Sequence, residues 1–173
     1  MDQENSETSP LNAETVLQVL RAVPGLTERL AQGIHVVDVG CGTGCSTVIM
    51  ASAFPSSRFL GLEANEAIVE RARDKTRERS LRNVYWVAAD AQQLAPLPTH
   101  DLICAFRGLH DLSEPIVALR AIRAALAEDG VYLWCERTGA QGRVWTHAPA
   151  EGFSCIERLP VDDAVRRCFA LRK

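Results

Sequence analysis

No uninterrupted apolar run in this chain approaches the ~20 residues that a membrane-spanning helix requires. The first ten residues, Met1 to Pro10, are polar and acidic and unlike a signal peptide. Charge of one sign is also scarce. A formal net charge of −3 over 173 residues offers no general attraction to nucleic acid or to an anionic membrane, so neither is expected as a partner. Six cysteines are present (Cys41, Cys45, Cys104, Cys135, Cys155 and Cys168), with no C-x-x-C pair and no zinc-ligand spacing, so no metal site is expected. Cys104 and Cys135 fall in apolar strand segments, where cysteine behaves as a small hydrophobe. The expectation is a cytoplasmic protein whose thiols are all reduced.

What is present is ordinary for a globular chain: 47% hydrophobic and 24% charged residues. Residues 1–10 read as a disordered tail and 11–173 as one domain. Apolar positions Val16, Leu17, Val19, Leu20 and Val23 follow helical spacing, and a second short helix over 26–32 closes at Gly33. Strands are expected at 34–39, 58–63, 84–88, 101–106 and 131–136. Helices are expected between them at 45–54, from the Asn65 cap to Ser80, and from Ser113-Glu114-Pro115 to Glu128. The charged stretch Glu70 to Arg79 reads as an exposed helix face. Strands alternating with helices at this rhythm imply a parallel, doubly wound sheet. Residues 137–152 have loop composition, and 153–159 with 167–171 read as an antiparallel pair at the sheet edge.

One stretch carries most of the functional information. Val36-Val37-Asp38-Val39-Gly40-Cys41-Gly42-Thr43-Gly44 runs from a buried strand into three alternating glycines, and Glu63 follows nineteen positions after Gly44. Glycines there let the backbone turn sharply and let a ligand approach without a Cβ in its way. A carboxylate about 20 residues on, at the end of the next strand, accepts hydrogen bonds from both ribose hydroxyls. The combination points to a nucleoside cofactor. Cys45 stands where the dinucleotide pattern G-x-G-x-x-G has its third glycine, which disfavours an NAD-dependent oxidoreductase. Cys41 and Cys45 flank the loop at i, i+4, and small residues packed under a cofactor are the simpler account than a metal or arsenic site.

The pattern [Val/Ile]-Asp-x-Gly-x-Gly-x-Gly resembles motif I of the class I S-adenosylmethionine (SAM) methyltransferases. The similarity runs from Val16 to Lys173, and is greatest to the catalytic domain of a bacterial small-molecule group in which that domain follows a winged-helix region. Three stretches carry it: Pro24 to Gly44, Ser46 to Ala51 with Phe54 to Gly61, and Leu109-His110-Asp111-Leu112-Ser113-Glu114-Pro115. The resemblance implies a Rossmann-like seven-stranded α/β sheet of order 3-2-1-4-5-7-6 with strand 7 antiparallel. It implies SAM as cofactor and S-adenosylhomocysteine as product. Asp38, Gly40, Gly42 and Gly44, with Cys41 in the loop between them, would line the methionine end. Glu63 would hold the ribose with Ala64 beside the adenine; Asp90 would take the adenine amino group with Ala91 below. Phe106 and Arg107 would face the sulfonium.

Several residues have two readings. Asp38 either orients the loop or meets the cationic amino-acid end of SAM. His110 is a candidate general base oriented by Asp111, or it packs structurally while Asp111 caps a helix. Arg107 binds an acidic acceptor or is a surface arginine. Tyr132 and Trp134, on one strand face, are core or sheet surface, or they wall an acceptor pocket. The chain departs from the group in lacking the winged-helix region. It also has only residues 137–152 where a long helical insertion usually covers the acceptor, with Trp145 and His147 as remnants of that lid. The expected activity is therefore methyl transfer to a small-molecule acceptor. The alternative is a SAM-binding protein without transfer activity, a sensor or a non-catalytic partner. The acceptor site is closed by a second copy or a partner subunit, or the acceptor is small or openly presented, or catalysis has been lost.

Overall fold

The central strands have apolar cores and lie side by side because they must bury both faces, while the edge strand over residues 84–88 buries only Trp86 and leaves Tyr85 and Val87 exposed. The computed structural model describes residues 12–94, 99–106, 114–137, 148–161 and 166–173. Its elements are α1 (Ala13–Arg21), α2 (Leu26–Gln32), β1 (His35–Val39), α3 (Cys45–Ala53), β2 (Arg58–Glu63), α4 (Glu66–Glu78), β3 (Val84–Ala88), β4 (His100–Ala105), α5 (Pro115–Ala125), β5 (Leu126–Arg137), β6 (Cys155–Arg158) and β7 (Arg166–Arg172). The sheet has the order β3-β2-β1-β4-β5-β7-β6. Strands β1 to β5 pair in parallel, and β7 runs antiparallel to both β5 and β6. This is the Rossmann-like topology expected from the sequence. Among the described residues no helix is long and apolar enough to cross a membrane.

Successive strand residues point to opposite faces, and each face has its own core. Val36, Phe59, Leu102, Cys104 and Leu133 pack beneath α1, α2 and α3. Val37, Leu62, Ile103, Tyr132 and Trp134 pack beneath α5. Tyr132 and Trp134 are fully buried, against Phe153 and Phe169 at ring-centroid distances of 6.0 and 6.3 Å. They are core residues. The helix start at Asn65 follows the predicted cap, its Oδ1 accepting from the Ala67 N–H at 3.0 Å, and Asn12 caps the first helix in the same way, its Oδ1 accepting from the Thr15 N–H at 2.7 Å.

Two expectations need correction. Helix α5 ends at Ala125, before Glu128, because Leu126 already pairs with His100 at the start of β5 and is fully buried. A register shift between His100 and Leu102 absorbs the Asp129-Gly130 turn as an irregularity inside the strand. The six thiols are also not all free. Cys135 and Cys168 form a disulfide, since the β5–β7 register sets them directly opposite one another with Cα atoms 4.1 Å apart. Both are buried as a strand cysteine should be. Their pairing follows from tertiary register, which their spacing of 33 residues does not reveal.

At the amino ends of the strands, Arg29 bonds Asp101 Oδ1 at 3.2 Å and the Asp129 carbonyl at 3.0 Å, while the His35 N–H donates to Asp101 Oδ2. His100 lies buried beside this cluster. Burial first, and then His35, hold its imidazole below the ordinary value, against an opposing pull from Asp101. The folded state therefore binds this proton less readily than the unfolded chain. The stabilising contribution of neutral His100 is present above the unfolded value near pH ~6.5 and is lost as pH falls toward the depressed folded value. Unfolding free energy measured by denaturant titration should decline as pH is lowered from 7 toward 5. His100→Gln should flatten that decline; an unaltered pH slope would assign it to other groups.

Candidate active site

In a doubly wound sheet, ligands bind outside the carboxyl ends of the strands where the strand order reverses. Here the chain winds outward from β1 through β2 to β3, then returns to build β4 and β5 on the other side, so the reversal lies between β1 and β4. Leaving β1 at that point, the backbone enters Gly40–Gly44, and Gly40, Gly42 and Gly44 all adopt positive φ, at 65°, 56° and 74°. L side chains rarely tolerate that conformation. At Gly40 a Cβ would meet nothing within 4 Å, so there is open space above the loop. At Gly44 the constraint is also steric, because a Cβ would lie 2.2 Å from the Trp86 indole.

Polar contacts fix the loop from several directions. Asp38 is 1% exposed, and its Oδ2 accepts from Ser46 Oγ at 2.6 Å and Thr47 Oγ1 at 2.7 Å in the first turn of α3. Of its two readings, the orientation of the loop and helix is the one this geometry displays. Glu63, half-buried at the end of β2, accepts from the Gly42 N–H through Oε2 and from the Asn65 N–H through Oε1, both at 3.1 Å. One carboxylate thus ties the loop to the start of α4, and each oxygen retains lone-pair capacity for a further donor. The Cys41 N–H donates to the Leu62 carbonyl at 3.0 Å, and the Cys41 side chain is buried beside Trp86, Val48 and Val69. Cys41 packs under the loop as a small hydrophobe.

Past β3, Asp90 caps a single 3-10 turn, Ala91–Gln93, accepting from the Gln92 N–H at 3.3 Å; its own N–H donates to Gln93 Oε1 at 2.8 Å. Ala91 is buried beside it, and Ala64 is exposed next to Glu63. The carboxyl ends of β1, β2 and β3 therefore present the glycine loop, Glu63, Ala64 and Asp90 on one edge of the sheet. Phe106, at the end of β4, is buried among residues packed beneath α1 and α2. Arg107, His110 and Asp111 lie outside the described residues, as do Trp145 and His147. Near the carboxyl end of β5 stands Glu136, a carboxylate only 8% exposed, across from Arg167 on β7.

Residues 36–130, more than half of the chain, match the family model described as a methyltransferase domain. The chain belongs to that family. Its strand order and glycine loop make it a class I methyltransferase domain, whose methyl donor is SAM. A trans-aconitate 2-methyltransferase of Acidovorax sp. (strain JS42) is 35% identical over 97 residues, 56% of this chain and 36% of the relative. That of Methylobacterium radiotolerans is 33% identical over 114 residues, 66% of this chain and 40% of the relative. The matches thus span little more than a third of these curated relatives. In fold, the domain resembles a SAM-dependent methyltransferase from Aquifex aeolicus (TM-score 0.72, 16% identity, 93% of this chain and 98% of the other). It also resembles human N-acetylserotonin methyltransferase in complex with SAM (TM-score 0.69, 18% identity, 92% of this chain and 51% of the other).

The residues present fit SAM. The molecule carries no pyrophosphate, so no stack of helix-terminal N–H groups is required, and α3 offers only a glycine at its N-cap. A carboxylate at Glu63 suits a ribose diol, and the open space over Gly40 suits a ligand passing close to backbone.

Proposed function

We propose that this protein transfers a methyl group from SAM to a small-molecule acceptor within a single domain spanning 11–173. The observation that supports it best is Glu63: one side chain at the sheet's carboxyl edge, bonded to the glycine loop, with capacity left for a ribose. In this reading Glu63 binds the two ribose hydroxyls, Asp90 the adenine amino group, and Ala64 and Ala91 pack at the base. Gly40, Gly42 and Gly44 let the methionine end lie against backbone, and Asp38 holds the loop in shape through Ser46 and Thr47. Arg107 borders the reacting end, while the Phe106 side chain, expected there, packs into the core beneath α1 and α2.

When bound, SAM supplies a methyl group already activated on a sulfonium. The protein then has to align the acceptor and exclude water, and well-oriented groups reach effective molarities on the order of 10⁵–10⁸ M. His110, oriented by Asp111, takes a proton from an acceptor that starts protonated, adding about 10²–10⁴-fold. For a carboxylate acceptor the oxygen is already ionised and no base is needed. Relatives named for trans-aconitate make di- and tricarboxylates the first acceptors to try, with Arg107 as a countercharge. The short connection after Glu136 calls for an acceptor that is small, or for a second copy or partner subunit over the site.

That same short connection favours a second reading, a SAM-binding protein that does not transfer. Incubation with methyl-labelled SAM and a panel of carboxylates, phenols, amines and thiols separates the two. Labelled product with stoichiometric S-adenosylhomocysteine is expected. Tight SAM binding without turnover across the panel would favour the sensor or partner role.

A further inference from the structure

Between Glu63 on one side and Trp86 below, the glycine loop has a third attachment, made from α4. The half-buried Lys75 reaches from the last turn of that helix to donate to the Thr43 carbonyl at 3.1 Å, Thr43 Oγ1 at 2.8 Å and Cys45 Sγ at 3.4 Å. An ammonium has three protons, and three acceptors are provided. The next residue, Thr76, is committed to the same region. Its hydroxyl accepts from Trp86 Nε1 at 2.8 Å and donates to the Ala72 carbonyl at 2.9 Å. The indole so fixed fills the space beneath Gly44 and Gly61, where an added Cβ would lie 2.2 and 2.3 Å from it.

We propose that Lys75 is a positioning residue for the cofactor site, bracketing the glycine loop from α4 while Thr76 seats Trp86 under it. The proposal rests on the reading that this loop binds SAM. Glycine at 40, 42 and 44 is denser than in any other stretch of equal length here, and glycine has the most conformational freedom to lose on ordering. Ligand affinity falls in proportion to the fraction of time such a loop spends in its binding shape. Three consecutive residues are each fixed by a different element: Gly42 by Glu63 of β2, Thr43 by Lys75 of α4, Gly44 by Trp86 of β3. Removing the central attachment frees Thr43 between two glycines.

A plainer role for Lys75 is a cation near the carboxyl end of α4, favourable to the helix dipole. Arg77 occupies the same turn, is exposed, and pairs with Asp74 at 2.8 Å, so it serves as the control. Calorimetric titration with SAM and with S-adenosylhomocysteine tests the bracket in the wild type, Lys75→Met, Lys75→Arg and Arg77→Met. Lys75→Met should weaken both ligands by the same factor, roughly 5- to 20-fold, because it lowers the competent fraction of the loop and removes charge-assisted bonds. Its melting temperature should stay within about 2 °C of wild type, as for a partly exposed substitution. Lys75→Arg should recover part of the affinity, and Arg77→Met should bind within twofold of wild type. If Lys75→Met does not fold, Thr43→Val removes one acceptor from the loop side and should still weaken binding roughly threefold. Binding within twofold of wild type in the folded Lys75 or Thr43 variant overturns the bracket and leaves the cofactor reading standing. A wild-type protein that binds neither compound overturns both.

Discussion

Replacing Glu63 by alanine is expected to raise the dissociation constant for SAM by roughly 10²–10³-fold. A hydrogen bond to a charged group contributes ~1.5–3 kcal/mol, and two ribose hydroxyls are lost together. The lower half of the resulting range is the better expectation, since Glu63 is only half-buried and water replaces part of each bond. The same side chain also accepts from the Gly42 and Asn65 N–H groups, so the loop and the start of α4 loosen with it. Glu63→Gln, which keeps an acceptor but turns one oxygen into a donor, should fall between the two. Calorimetry on the folded variants decides. A change of less than about twofold for Glu63→Ala, below one neutral hydrogen bond's ~0.5–1.5 kcal/mol, would remove Glu63 from the ribose site.

Asp38→Ala should act on stability rather than on affinity alone. The carboxylate is buried and is the acceptor for the hydroxyls of Ser46 and Thr47, themselves 7% and 0% exposed. Deleting it leaves two buried donors, each costing ~1–3 kcal/mol. At ~2–4 °C per kcal/mol for a chain of this size, the melting temperature should drop by roughly 5–20 °C. Asp38→Asn keeps one acceptor oxygen and should lose less. Were Asp38 chiefly a ligand for the cationic end of SAM, the melting temperature of Asp38→Ala without ligand would match wild type and only affinity would fall.

The parts of this site that are close together in sequence are legible in the sequence itself. β1, its glycine loop and α3 are contiguous, and Glu63 ends the very next strand, so spacing alone brings them together. The alternation of strands and helices implies a parallel, doubly wound sheet, and the sheet order is what the resemblance to the class I methyltransferases implies. What stays hidden depends on register or on long-range packing. The Cys135–Cys168 disulfide needs the β5–β7 alignment. Lys75 meets Thr43 across 32 residues, and within a charged helix it is indistinguishable from its solvated neighbours. Trp86 beneath Gly44 and Gly61 gives those glycines a steric reason that a turn-forming role does not supply. The early end of α5 is of the same kind, set by pairing of Leu126 with His100 where the helix-favouring residues continue to Glu128.

The glycine loop and Glu63 form a SAM site in this reading, although Cys45 is the single departure from a dinucleotide pattern. Calorimetric titration of the wild-type protein with SAM, repeated with NAD as competitor, probes that assignment with the fewest intermediate steps. One-to-one binding of SAM that excess NAD does not displace is the expected outcome. Preferential binding of NAD, or displacement of SAM by it at equal concentration, would make the loop a dinucleotide site instead.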